Sequence, residues 1–223
     1  MMSTLELVIG NCNYSSWSLR AWLVLKQSGL AFTETLIPLN QPGYQEAIRK
    51  RNPSGTVPAL VTEQGVIAES LAIAETIAEM APDAGLWPAD PFARAMARAV
   101  SAEMHAGFMS LRSAAPMNIR KRLPGKGRGP GVDTDVQRIC DIWRQCREKF
   151  GANGPFLFGG FSIADAMYAP VVMRFRTYGF EVGAVEQAYM QAVIDHPSLR
   201  EWCDRAEAED WVIEDEELEP DSA

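Results

Sequence analysis

The 223-residue sequence contains no C-x-x-C pair; its four cysteines, Cys12, Cys140, Cys146 and Cys203, are widely scattered. That spacing argues against a structural zinc site and against a disulfide framework, and no metal is expected. Cys140 and Cys146 sit in a helical pattern and read as packing residues. Long apolar runs are missing too: nothing approaches the roughly 18 consecutive residues of a membrane helix. The N-terminus lacks the charged region, apolar core and cleavage site of a signal peptide, so a cytoplasmic protein without membrane contact is expected. Nor is there a basic excess. A formal charge of −8 and a pI near 4.9 disfavour nucleic acid, whose phosphates require clustered Lys and Arg. The one basic run, RKRLPGKGR (120–128), and the acidic block EDEELEPD (214–221) read as a solvated loop and a frayed terminus. The glycines of LPGKGRGPGV (123–132) lack the spacing and the final Lys-Ser/Thr of a phosphate loop.

What the chain does have is 47% hydrophobic residues, ample for a packed core, arranged in two rhythms. From Leu5 to about Met80, short apolar runs (LELVIG, FTETLI, PALV, GVIA) alternate with helical stretches in the order β-α-β-α-β-β-α. This order predicts a small mixed sheet with helices on its faces. The first helix is expected to end near Ser28, with Gly29 left-handed behind it and Leu30 supplying the following apolar contact. APDAGLWPADP (81–91) marks a boundary, beyond which only helical patterns follow. Met96, Val100, Met104, Phe108 and Leu111 predict one long helix, and Val136, Ile139, Cys140, Trp143 and Phe150 another. In FSIADA (161–166), Ser162 stands three residues before Asp165, the spacing of a capping box with a structural role.

YSSWSLR (14–20) crowds three hydroxyls, an indole and a guanidinium into the start of the first helix. Helix capping accounts for one serine only. SSWSLR (15–20), NPSGTVPAL (52–60) and the pair Glu69-Ser70, in that order, resemble the cytosolic glutathione transferases, most of all their zeta-like, serine-using branch. Trp17 stands where the zeta pattern has cysteine. The resemblance implies an α/β plus all-α fold: a thioredoxin-like domain over 1–81, a linker over 82–91 and an all-helical domain over 92–223. It also implies a homodimer and glutathione as co-substrate. Ser15 would donate a hydrogen bond to the glutathione sulfur, with Ser16 and Ser18 as capping and supporting hydroxyls. Arg20 would add its charge to the field or pair with an acid. Val57, before a cis Pro58, would pair through its backbone with the cysteinyl portion of glutathione, and Glu69 and Ser70 would hold the γ-glutamyl end.

For the second substrate, the expected pocket residues are Trp17 and the set His105, Phe108 and Arg112, which fall at i, i+3 and i+7 and are expected to share a helix face along the cleft between domains. Arg112 would suit an anionic electrophile. The competing reading makes His105 hydrogen-bonded structure and Arg112 a surface ion pair, with Arg174 and Arg176 as unranked alternatives. The expected activity is addition of the ionised thiol to a small electrophile. A maleylacetoacetate isomerase-like reaction is the alternative, against which Trp17 and the lack of a clear anion-binding set weigh. A disulfide reductase would need Cys12 as its thiol. A non-catalytic binding module is the remaining alternative, since a fold does not fix function.

Overall fold

A computed structural model describes residues 5–218. β1 (Leu5–Ile9) alternates its side chains between two faces, as strands must. Leu5, Leu7 and Ile9 enter the main core, whereas Val8 joins a smaller cluster with Ile37, Ile48 and Ala59 on the other side. β2 (Phe32–Leu36) lies parallel to β1, β3 (Ala59–Thr62) antiparallel to it, and β4 (Gly65–Ala68) antiparallel to β3, giving the order β2-β1-β3-β4. Parallel neighbours need a crossover, and α1 (Ser16–Ser28) supplies it, ending at Gly29 with the expected left-handed φ of 72°. α2 (Tyr44–Arg51) covers the Val8 face through Ile48, while α3 (Ser70–Met80) packs beside α1 on the main-core side.

After a 3-10 turn at Pro82–Ala84, every longer element is helical: α4 (Pro91–Ala106), α5 (Met109–Ala114), α6 (Val132–Phe150), α7 (Ile163–Tyr178), α8 (Ala184–Ile194) and α9 (Pro197–Glu207). The single helix expected from Met96 to Leu111 is broken. α4 stops at Gly107 and Phe108 takes a left-handed φ of 59° before α5 begins. Glycine is a poor helix former, and a Cβ at Gly107 would meet the Glu103 carbonyl oxygen at 2.8 Å. Phe108 and Leu111 are buried all the same, so their apolar spacing reports burial but not an unbroken helix. α7 is buried along nearly its whole length against α1 and α4. One core runs from Leu7 and Trp22 through to Trp143 and Tyr168, joining the sheet half to the helical half.

The two charge blocks are not the solvated loop and frayed end that the sequence predicts. Beyond α9 the chain returns along loop 10–15, whose amides need acceptors. Glu209 accepts hydrogen bonds from the Cys12 amide (2.6 Å) and the Asn13 amide (3.0 Å). Glu217 accepts from the Tyr14 hydroxyl (2.6 Å) and from Asn118 Nδ2 (2.8 Å). From the basic run, Arg120 donates to the Glu209 carbonyl, to Tyr14 Oη and to the Trp211 carbonyl, and Lys121 pairs with Glu217. Residues 209–217 therefore form a strap across the loop that leads into α1. The end of the acidic block, 219–221, lies outside the described residues.

Candidate active site

The loop into α1 turns on Asn11, whose carbonyl accepts hydrogen bonds from the Tyr14 and Ser15 amides at 3.3 and 2.9 Å. Ser15 is the N-cap, and its Oγ accepts from the Ser18 amide at 3.4 Å and donates to Ser18 Oγ at 2.7 Å. Ser18 Oγ in turn accepts from the Gly10 amide at 3.0 Å. Capping thus falls to Ser15 and not, as expected, to Ser16. An N-cap hydroxyl reaches the amide three residues on, and Ser16 is already the first residue of the helix. Ser18 supports as expected. A hydroxyl has two lone pairs and one proton, so the cap leaves the Ser15 proton available. If Ser18 becomes the donor of the 2.7 Å bond, that proton is free for a ligand.

Ser15 lines a cavity of about 350 Å³ together with Trp17, Val57, Arg112, Arg174 and Glu216. The Val57–Pro58 peptide bond is cis, as the resemblance implied. Glu69 caps α3 with a φ of 84°, and its Oε2 lies 3.3 Å from the Leu71 amide and 3.1 Å from His105 Nε2. Ser70 is fully buried and its Oγ has no partner. An unsatisfied buried hydroxyl is costly; this one lies in the first turn of α3, and neither it nor Glu69 is among the residues that line the cavity.

Two guanidiniums approach the Trp17 ring, Arg20 at 4.5 Å and Arg112 at 4.6 Å from its centre, and His105 meets the ring edge-on at 5.3 Å. The expected shared face of His105, Phe108 and Arg112 does not form, because the break at Gly107 separates them. Arg112 reaches the cavity and donates through Nη1 to the His105 carbonyl at 3.2 Å. His105 instead faces Glu69, and Phe108 is buried in the core; neither lines the cavity. Arg20 does not pair with an acid among the described residues, as one alternative allowed. It is buried, and its Nε and Nη1 have no partner.

Arg174, which the sequence leaves as an alternative unranked beside Arg176, lines the cavity, and so does Glu216, to which nothing in the sequence points. Arg174, on the buried α7, donates through Nε to the Ala115 carbonyl at 2.8 Å and through Nη1 to the Pro170 carbonyl at 3.4 Å. Burial, helped by repulsion from Arg112, pulls it down to about 10, which leaves it cationic at neutral pH. Glu216 arrives on the strap, and burial raises its carboxyl against the opposing pull of Arg174. No local pattern links either to Ser15. Cys12 is fully buried, pushed up to about 12 by burial and by Glu209, and its carbonyl is held by Trp202 Nε1 at 2.8 Å. Among the described residues no three His, Cys, Asp or Glu side chains form a metal cluster, and no helix is long and apolar enough to cross a membrane. A larger cavity of about 520 Å³, lined by Met96, Val100, Ile142 and Phe150, contains none of the expected site residues.

Residues 14–80 match the family described as glutathione S-transferase, N-terminal domain, and residues 126–205 that described as glutathione S-transferase, C-terminal domain. A "Probable maleylacetoacetate isomerase" from Caenorhabditis elegans is 36% identical over 161 residues, covering 69% of this chain and 73% of the relative. Maleylacetoacetate isomerase from Rattus norvegicus is 35% identical over 161 residues, covering 70% and 71%. Among solved structures, a glutathione transferase homologue from Burkholderia GL BGR1 with bound glutathione superposes with a TM-score of 0.70 at 24% identity, over 92% of this chain and 98% of that one. Glutathione transferase Omega 2S from Trametes versicolor superposes with a TM-score of 0.69 at 22% identity, over 93% and 96%. The serine motif at a helix start, the cis Val57–Pro58 bond, the Glu69-Ser70 cap and these matches lead to one conclusion: the chain belongs to the glutathione S-transferase family and is a zeta-like glutathione transferase.

Proposed function

We propose that this transferase ionises the thiol of glutathione at Ser15 and delivers the thiolate to a small electrophile that carries a carboxylate. The observation that carries the reading is that Ser15 and two guanidiniums, Arg112 and Arg174, line one cavity. In this account the Ser15 hydroxyl donates to the sulfur, the proton leaves to water, and α1 directs its positive end at the new charge. An unperturbed thiol near 8.5 is only a few per cent ionised at neutral pH, and lowering it by about two units takes about 2.7 kcal/mol. One hydrogen bond to a charged group supplies about 1.5–3 kcal/mol, so no general base is required. The Val57 backbone pairs with the cysteinyl portion, Glu69 and the unpartnered Ser70 hydroxyl hold the γ-glutamyl end, and Trp17 with the two arginines receives the electrophile.

A second reading has specific support. Addition of a thiolate to a conjugated double bond makes it single and free to rotate, and elimination then returns the thiolate with the bond isomerised. The arginine pair supplies the anion-binding set whose apparent lack weighed against this reaction, and two relatives carry the name of such an isomerase. The reductase reading loses its support with the buried, un-ionised Cys12. The deciding experiment incubates the protein with glutathione and a conjugated cis-dicarboxylate. A thioether with consumed glutathione means transfer, and an isomerised product with glutathione unconsumed means isomerisation. No reaction, together with no calorimetric binding of millimolar glutathione, overturns both in favour of a binding module. A homodimer in the cytoplasm belongs to the same proposal. Sedimentation at the mass of a single 24.6 kDa chain would contradict the dimer, and recovery in a membrane fraction the location.

A further inference from the structure

Glu216 lines the same cavity as Ser15, Arg112 and Arg174, and activation of the thiol leaves it without a task. The strap sets its place. Glu217 beside it accepts from the Tyr14 hydroxyl at 2.6 Å and from Asn118 Nδ2 at 2.8 Å, and the Glu216 amide donates to the Ile213 carbonyl at 2.9 Å in the 3-10 turn Glu214–Glu216. Among the described residues no hydrogen bond or ion pair holds the Glu216 carboxyl. The charged and titratable groups around it are Arg174 and Tyr178 of α7, Arg112 of α5, Tyr14 of the loop into α1 and Asp215 on the strap. Burial raises the carboxyl above its ordinary value, Arg174 pulls against that rise and Asp215 adds to it. Glu216 is the one carboxyl among the lining residues, in company with guanidiniums, serines and a tyrosine whose phenol burial has raised.

We propose that Glu216 is the catalytic acid that protonates the carbanion left when the glutathione thiolate adds to a conjugated carboxylate, and so decides whether the adduct becomes a thioether or reverts as the isomerised alkene. The inference rests on the reading of thiolate addition given above, whose transfer and isomerisation branches share this adduct. In the addition a C–S bond forms, the π bond breaks, and its electron pair moves to the neighbouring carbon and the carboxyl group it bears. Two exits are then open. In one, the O–H of Glu216 breaks as a C–H bond forms at that carbon, completing the thioether, and Glu216 regains its proton from water, which had received the thiol proton. In the other, no proton arrives, the new single bond rotates and the thiolate is expelled. A cavity of about 350 Å³, near the low end of the roughly 300–1,000 Å³ of small-molecule sites, keeps the acid and the adduct together. The substrate itself prepares the acid. A carboxylate held by Arg174 cancels the pull on Glu216 and sets a like charge beside it, so binding draws a proton onto Glu216.

The test uses the full chain with Glu216→Gln, which removes the acid and keeps the shape, and Glu216→Asp, which keeps a carboxyl. Wild type with glutathione and maleate near pH 6 should yield thioether, and the ratio of thioether to fumarate should fall as the pH rises and Glu216 ionises. A positioned general acid is worth about 100-fold or more, so in Glu216→Gln that ratio should drop by about tenfold or more near pH 6 and lose its pH dependence. Glu216→Asp should restore part of it. Calorimetry with succinate, which cannot react, in two buffers of different ionisation heat gives a readout apart from turnover. Wild type should take up protons as succinate binds, and Glu216→Gln should not. An unchanged product ratio in folded Glu216→Gln, fumarate alone from wild type near pH 6, or succinate binding without proton uptake would overturn the proposal. If Glu216→Gln does not fold, Glu216→Ala gives the same readouts, and an unchanged ratio there is equally fatal. Wild type that neither binds millimolar glutathione nor consumes maleate would defeat the reading of the site, and the inference with it. Thiolate addition with a product ratio indifferent to Glu216 would defeat this inference alone.

Discussion

The Ser15 side chain divides its work between its lone pairs and its proton. One lone pair serves the Ser18 amide, while the proton lies on Ser18 Oγ and is the only part free to change partner when an anion arrives. Burial decides the fate of the nearby thiol. Cys12 is pushed up to about 12, so only a negligible fraction ionises at neutral pH. Cys12→Ser should leave glutathione turnover within about twofold of wild type, and a loss of about tenfold or more in steady-state rate would show that the thiol participates after all. Ser15 and Val57, named from short contiguous motifs through the family resemblance, share the candidate cavity, whereas Glu69 and Ser70, named the same way, open α3 and do not line it. Glu216 was not legible, because a glutamate in an acidic tail carries no pattern that points to Ser15, and Arg174 could be named only as an alternative beside Arg176, because a buried arginine on an apolar helix carries no pattern that ranks it. His105 and Phe108 were assigned to the pocket by extending a helical period through Gly107, and the backbone does not follow that period.

At the scale of elements, the β-α-β-α-β-β-α order was readable from alternation and punctuation, down to the left-handed Gly29. The start of α7 was readable too. Asp165 Oδ2 accepts from the Ser162 amide at 2.8 Å and the Ser162 hydroxyl at 2.9 Å, and Oδ1 accepts from the Leu157 amide at 3.0 Å. What the pattern did not reveal is that this carboxyl is fully buried, and burial outweighs those hydrogen bonds to lift it from 3.8 to about 6. The folded chain therefore holds this proton more tightly than the unfolded chain. The associated stability is fully present below about pH 4 and is lost as the pH rises through about 6. A shift of about two units corresponds to on the order of 3 kcal/mol. The unfolding free energy of wild type minus that of Asp165→Asn should fall by roughly that amount between those limits, and a flat difference would contradict the assignment.

Across the whole molecule, charge is distributed against its average. The chain carries a net −8, yet three guanidiniums, Arg20, Arg112 and Arg174, converge behind Ser15 and Trp17. The acidic strap 209–217 holds the loop entering α1 and adds Glu216 to the cavity wall. Sequence showed both charge blocks but not that they meet, because their pairing depends on the packing of α9 and on loop amides that need acceptors. An anion held at Ser15 would thus lie in a locally positive site within an acidic protein. The most direct measurement is the ultraviolet titration of bound glutathione in wild type and in Ser15→Ala. The thiol should be well below 8.5 in wild type and about one to two units higher in the variant. Turnover at pH 7 should fall by about tenfold or more and partly recover near pH 9, where the thiol ionises unaided. An unshifted pKa in folded Ser15→Ala would contradict the account and transfer the activation to Ser16, Ser18 or Tyr14.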